Sequence, residues 1–208
     1  MGECDIVMKR HKVGKKRKKL KTNKDDVKTW RDLVFWRDLL LYFLAFSYVG
    51  HFIEMAWAWL AHVVLGRELM TNILHNPLEP YTIYGMGAVL VILIVKPLVK
   101  KLNHHIVATF VVATLVCAVL ECVSSMILVW RHGYNPYWWY VDQPFNFYGH
   151  ICLINSLLFG LLATVFLRAI YPLTEKLLRR SNQVVLNIVL LVLLAMFAVY
   201  YAGRYGLI

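Results

Sequence analysis

Charge is scarce in this sequence. Charged residues make up 17% of the 208 residues and apolar residues 60%, against about a quarter and just under a half in ordinary soluble domains. Mean hydropathy is +0.56. A water-soluble fold has no use for several unbroken apolar runs of about eighteen residues or more, so that class is excluded. Cysteine is also sparse: Cys4, Cys117, Cys122 and Cys152, with no CxxC spacing and three of them inside apolar runs. That pattern excludes a disulfide framework and reads as small hydrophobes. No HExxH, serine elbow or Asp-rich phosphate motif is present, and no cofactor is implied. The missing Walker A sequence removes P-loop ATP hydrolysis, so any ATP-driven process needs a second chain to supply the nucleotide site. The first thirty residues lack the short n-region and small-residue cleavage site of a signal peptide, so the first helix is expected to stay as an anchor. Met1-Gly2-Glu3-Cys4-Asp5-Ile6 lacks the Ser or Thr of a myristoylation signal.

What is present is a basic tail followed by apolar runs. The formal net charge is +11, and 13 of the 23 Lys and Arg lie before residue 38. Residues 1–32 form a hydrophilic segment centred on Lys15-Lys16-Arg17-Lys18-Lys19. Like charges so close repel, and the segment is expected to be disordered and cytoplasmic. It is suited to anionic lipid headgroups and to retention on the inner side. No aromatics interleave the charges, which argues against nucleic acid. Residues 27–37, with Trp30 and Trp36, suggest a short interfacial helix.

Hydropathy then predicts an all-α, polytopic bundle of about five transmembrane helices, spanning 39–65, 81–95, 106–130, 149–171 and 184–201. Pro172 is expected to stop the fourth helix. With the N-terminus inside, the tail and inner loops hold 20 Lys and Arg and the outer side holds three, Arg67, Arg131 and Arg204. Five spans would place the C-terminus outside. Trp138 to Tyr148 is an aromatic outer segment, expected to lie along the interface as a belt or lid. Asn146, or less directly Asp142, is the expected cap of the fourth helix.

Two acids lie within the apolar runs, Glu54 and Glu121. An ionisable group at such depth is costly and marks a site by default. At 1.5 Å per residue they lie roughly 15 and 13 Å below the outer ends of helices 1 and 3, which travel in the same direction. The remaining candidates fall in the same half. His51 is one turn before Glu54, Tyr84 enters on helix 2, His150 stands near the rim and Asn155 lies deeper on helix 4. Ser124 and Ser125 follow Glu121, and Ser156-x-x-x-Gly160 is a small-residue stripe for close packing. The expectation is that Glu54 and Glu121 face one interior cavity, with His51 and His150 as partners. A polar solute, cation or proton site is the first chemistry this suits. A metal site on His51, Glu54, Glu121 and His150, and an intramembrane hydrolase or transferase using the paired acids, are the alternatives. Interhelical hydrogen bonding alone is the bland reading.

An ordered series of fragments carries a family resemblance from about Leu41 to Leu173. It comprises Phe46-Ser47-Tyr48-Val49-Gly50 leading to Glu54, Ile83-Tyr84-Gly85-Met86-Gly87-Ala88, Glu121, and Trp138-Trp139-Tyr140 followed by Pro144-Phe145-Asn146. Gly149-His150-Ile151-Cys152-Leu153 then runs into Asn155-Ser156 and Phe159-Gly160. In these the chain resembles the CmpB-type ABC-transporter permeases, a family of small bacterial membrane proteins. It departs from them with His51 where members carry Trp, His150 where they carry Arg, and Asn72-Ile73-Leu74 where they tend to have Asn-Arg-Gly. The resemblance implies a bacterial plasma-membrane protein associated with transport, with a separate ATPase or other membrane subunit as partner. The expected function is a permease-like, non-enzymatic subunit. A structural or regulatory partner of another complex, or an intramembrane enzyme using Glu54 and Glu121, stands as the alternative.

Overall fold

The computed structural model describes residues 32–65, 79–103 and 105–206. The basic tail, the interfacial helix as far as residue 31, Arg67, Asn72-Ile73-Leu74 and His104 fall outside the described residues.

Five helices are long and apolar enough to cross a membrane. They are α1 (Leu33–Leu65), α2 (Thr82–Lys101), α3 (Ile106–His132), α4 (Leu153–Arg180) and α5 (Gln183–Arg204). The all-α reading holds. The only sheet among the described residues is two residues deep, β1 (Asn146–Phe147) against β2 (Ile151–Cys152).

Local chemistry sets the helix ends. Asp32 starts α1 by accepting the Val34 N–H on Oδ1 at 2.9 Å, as an N-capping carboxylate does. No breaker separates residue 37 from residue 39, so the expected interfacial segment from Leu33 onward and the first span are one helix. Asn182 caps α5 through the Val184 N–H, leaving a very short turn after α4. Gly133 ends α3 at φ +79°, a left-handed position that costs glycine nothing.

Two helices run further than their prolines suggest. α2 passes Pro97 and α4 passes Pro172, so the expected stops at Val95 and Tyr171 are corrected. A proline ring clashes with the carbonyl four residues back. Each helix avoids that clash by widening just before its proline. Val91–Val95 and Phe166–Ile170 are π-helical, and the Lys96 and Tyr171 N–H groups reach five residues back to the Val91 and Phe166 carbonyls. The start of α4 also differs. Gly149 has φ +75° and cannot open a helix, so α4 begins at Leu153.

Successive helices alternate in direction and give the bundle two ends. At the basic end, Arg37 of α1 donates to Gln183 of α5, and Lys96 of α2 to Tyr171 of α4. At the aromatic end, Arg204 of α5 bonds Glu79 and Tyr137. Among the described residues the first end holds Arg37, Lys96, Lys100, Lys101, Arg168, Lys176, Arg179 and Arg180, and the second Arg131 and Arg204.

Small residues bring the helices close, the packing that serves where lipid removes the hydrophobic drive between them. A Cβ on Gly85 would collide with the Phe43 carbonyl and Ser47 Oγ of α1. One on Gly160 would collide with Thr114 of α3, so the expected Ser156–Gly160 stripe lies in the α3–α4 contact. Large apolar side chains such as Leu115, Val119, Leu161 and Leu191 face outward, as lipid-facing residues do. α5 is the extreme case, with Leu186 its only buried residue.

Candidate functional site

α1 carries His51 and Glu54, and α2 brings Tyr84 against Glu54. Gly50 permits this, because any side chain there would strike the Tyr84 ring. The ring lies on the surface of α1 and its hydroxyl donates to Glu54 Oε1, one turn further on, at 2.6 Å. Glu54 is half-buried. α3 carries the second acid. Glu121 is only 2% exposed, and Tyr140 Oη donates to its Oε1 at 2.8 Å. Its other oxygen, Oε2, is buried without a hydrogen-bond partner. Glu54 stands eleven residues before the end of α1 and Glu121 eleven before the end of α3, about 16 Å in each case at the α-helical rise.

Each acid thus has a tyrosine donor, and the two pairs adjoin. Tyr84 and Glu121 line one cavity of about 140 Å³, otherwise apolar, with Cys117, Phe159 and Phe166 in its wall. The Tyr84 hydroxyl lies within electrostatic reach of both carboxylates. Asn155 stands, half-buried, in the first turn of α4.

The histidines do not serve as partners of the acids, which corrects the expectation. His150 precedes α4, and its Nδ1 pairs with Ser125 Oγ at 2.8 Å. His51 is 1% exposed, with neither ring nitrogen hydrogen-bonded. It packs instead against the rings of Phe52 and Tyr81. Among the described residues no group of three His, Cys, Asp or Glu is arranged to hold a metal ion.

The aromatic segment is a folded cover. Asn135 is its hub, donating to Ser125 Oγ and accepting from the Tyr137 and Trp138 N–H groups. Trp138 Nε1 donates to the His150 carbonyl at 3.1 Å, and the Trp139 ring meets the His150 ring edge-on. Asn146 does not cap α4. It knots the segment by donating to the Val141 and Gln143 carbonyls and accepting from the Gly149 N–H. The knot presents Tyr140 to Glu121. Burial, and then the charge of Glu121, raise the Tyr140 phenol above its ordinary range, which keeps its proton in place for donation. Burial and then Glu79 and Glu54 push the Tyr81 phenol up to about 12.

Both acids, Tyr84 and Asn155 were singled out from the sequence, and the structure brings Tyr84 against Glu54 and beside Glu121. Sequence reasoning missed Tyr140 and Asn135 as site residues, treating the first as one more interfacial ring. The signal available was a hydroxyl-bearing residue at the inner end of the Trp138-Trp139-Tyr140 run. The arrangement is one carboxylate on an apolar cavity, Glu121, with one oxygen open to a proton, a cation or a hydrogen-bond donor; Glu54 is not in that lining and is joined to it through Tyr84.

A family model described as "Putative ABC-transporter type IV" matches residues 41–202. No curated protein gives a significant match, and no solved structure does.

Proposed function

The chain belongs to this ABC-transporter family and is a transport-associated, multi-pass membrane protein; from that premise we propose that it is a permease-like subunit whose polar site is formed by Glu54, Tyr84, Glu121 and Tyr140. The observation that carries the reading is the unpartnered, buried Oε2 of Glu121 beside a cavity. A buried carboxylate oxygen without a donor is costly, and a polar solute, a cation or a proton arriving from the aromatic end would satisfy it. Energy comes from a separate ATPase chain. The protein sits in the bacterial plasma membrane with its N-terminus and basic end inside, the orientation the excess of Lys and Arg at that end favours.

One feature favours a second reading, a structural or regulatory partner of another membrane complex. Toward the basic end the core is dry, with Val91, Val95 and Val99 at 1%, 0% and 1% exposure. As a permease the chain must open this region during its cycle, whereas a structural partner has no need to.

Purification of the full chain in mild detergent, with identification of what accompanies it, tests the proposal. It stands if an ATPase co-purifies and a bound cation or polar solute is lost on Glu121→Gln. It fails if the double variant Glu54→Leu, Glu121→Leu folds and supports the same uptake as the wild type.

A further inference from the structure

The cavity of about 140 Å³ beside Glu121 is lined from α1, α2, α3 and α4, almost wholly by carbon. Among the described residues that line it, only Glu121, Tyr84 and Cys117 carry a polar side-chain group. The thiol is a weak donor. The Tyr84 proton is given to Glu54. Glu121 offers Oε1 to Tyr140, and Oε2, buried and without a hydrogen-bond partner among the described residues, is the acceptor it has left. The cavity therefore presents one carboxylate oxygen set in hydrocarbon.

That inventory decides between ligand classes. A hard metal ion such as Mg²⁺ or Ca²⁺ takes about six oxygen ligands or more, and the lining side chains hold far fewer. A sugar-like solute would bury several hydroxyls against carbon, at a cost for each. An anion would meet the like charge of the carboxylate. A proton satisfies Oε2 but leaves the space beside it empty, and empty apolar space is itself destabilising. What fits is a ligand that is apolar except for one cationic donor.

The rings in the wall agree. Tyr84 and Phe159 have centroids 5.7 Å apart, and Phe46 and Phe166 meet edge to face at 4.8 Å. All four line the cavity. Aromatic faces attract a cation that has left water. A void of this size in an apolar interior admits a benzene-sized body. Leu162, Val165 and Ile170, also in the wall, are exposed among the lipid-facing side chains of α4, so the cavity borders lipid.

We propose that the ligand of this site is a small apolar monoamine, a benzene-sized body bearing one ammonium group; the inference rests on the polar-site reading above. One N–H donates to Glu121 Oε2 in a charge-assisted hydrogen bond. The Tyr84 oxygen keeps a lone pair for a second N–H, and the neighbouring ring faces take up the remaining charge. The apolar body fills the space between Phe159 and Phe166.

The test is equilibrium binding to the full chain in lipid nanodiscs, with binding to empty discs subtracted. Benzylamine, benzyl alcohol, toluene and sodium ion are the separate probes. Benzylamine should bind the wild type about tenfold or more tighter than toluene or benzyl alcohol, the gain expected for a hydrogen bond to a charged group. Glu121→Gln should erase that advantage and leave toluene binding unchanged. Gly87→Val serves if Glu121→Gln does not fold. Gly87 lines the cavity, and a Cβ there meets only Leu120 Cδ2, at 3.8 Å. The added side chain should take up the space and weaken benzylamine and toluene alike. Toluene or benzyl alcohol bound by the wild type as tightly as benzylamine, or benzylamine binding undiminished in both variants, would overturn the amine. Glu121-dependent binding of sodium with no binding of benzylamine would also overturn it, while leaving the permease reading in place. That reading fails separately, through unchanged uptake by the Glu54→Leu, Glu121→Leu chain.

Discussion

Tyr84 Oη donates to Glu54 Oε1 at 2.6 Å across the contact between α1 and α2, and Gly50 is the residue whose missing side chain lets it do so. The bond ties a site residue to one of the close helix pairings in the bundle. Disturbing the site should therefore also disturb stability, and the two effects have to be separated.

Tyr84→Phe removes the donor and leaves the Glu54 carboxylate short of a partner. The expected loss is roughly 1 kcal/mol of stability, the low end of the cost of orphaning a buried polar group, because Glu54 is half-buried. In a Glu54→Leu background the same change should cost nearly nothing, because nothing is left to orphan. Thermal unfolding of the four chains in detergent closes the cycle. Equal costs in both backgrounds would show that the bond contributes nothing.

Gly85→Val should be among the most damaging substitutions in α2. Its side chain would run into the Phe43 carbonyl and Ser47 Oγ. Backbone on one side cannot yield cheaply, and overpacking of this kind costs about 1–3 kcal/mol or more. Gly203→Ala is the control, since nothing lies within 4 Å of a Cβ there. Melting temperatures that fall for the first and hold or rise for the second are the expected pair of results.

Stability should decline at high pH. The Tyr81 phenol is pushed up to about 12 in the folded chain, against an ordinary value of about 10. The folded state therefore holds this proton longer than the unfolded state does. The resulting stabilisation is complete below the unfolded value and is lost as pH climbs from there through the folded one. Tyr140 is shifted in the same direction and adds to the loss. Melting curves at rising pH, with tyrosinate absorbance followed in parallel, test this. Tyr81→Phe should flatten the early part of the decline, and an unchanged profile would count against it.

Asn135→Ala should loosen the aromatic cover without unfolding the bundle. The side chain makes three hydrogen bonds, two of them to backbone N–H groups of the segment. Asn135→Asp keeps the accepting oxygen and loses only the donor to Ser125, so it should be milder. Limited proteolysis between residues 133 and 152 reads the difference. Equal protection of both variants and the wild type would deny Asn135 this role.

Single cysteines in the tail and after α5, placed in a cysteine-free background, should label from opposite faces of the membrane, the N-terminal one from inside. Labelling of both from one face would refute the proposed orientation.

The helix number and both buried acids were legible from hydropathy, because an isolated carboxylate in an apolar run needs no tertiary information to be conspicuous. Tyr84 was legible for the same reason. The partners of the acids were not. Tyr140 reaches Glu121 only because Asn146 and Gly149 fold an irregular segment back on itself, a geometry with no periodicity to read. His51 and His150 were assigned to the acids by depth alone, but depth says nothing about the direction in which a ring points. The continuations past Pro97 and Pro172 were missed because proline reads as a stop unless the preceding turn widens. On that reading Lys96 looked like a loop residue and Tyr171, 75 residues further along the chain, like the last residue of its helix.

A π-segment is, in genetic terms, a one-residue insertion that the helix has absorbed. Deleting a single codon from 91–95 would let the turn close to the α-helical form while leaving Lys96-Pro97 unaltered in the sequence. Because the wide turn has absorbed one extra residue, closing it leaves whatever lies beyond in nearly the same orientation. The same holds for 166–170 and Tyr171. A one-letter gap in either segment of an aligned chain would then mark a turn that has closed, and not a helix whose far end has been turned away.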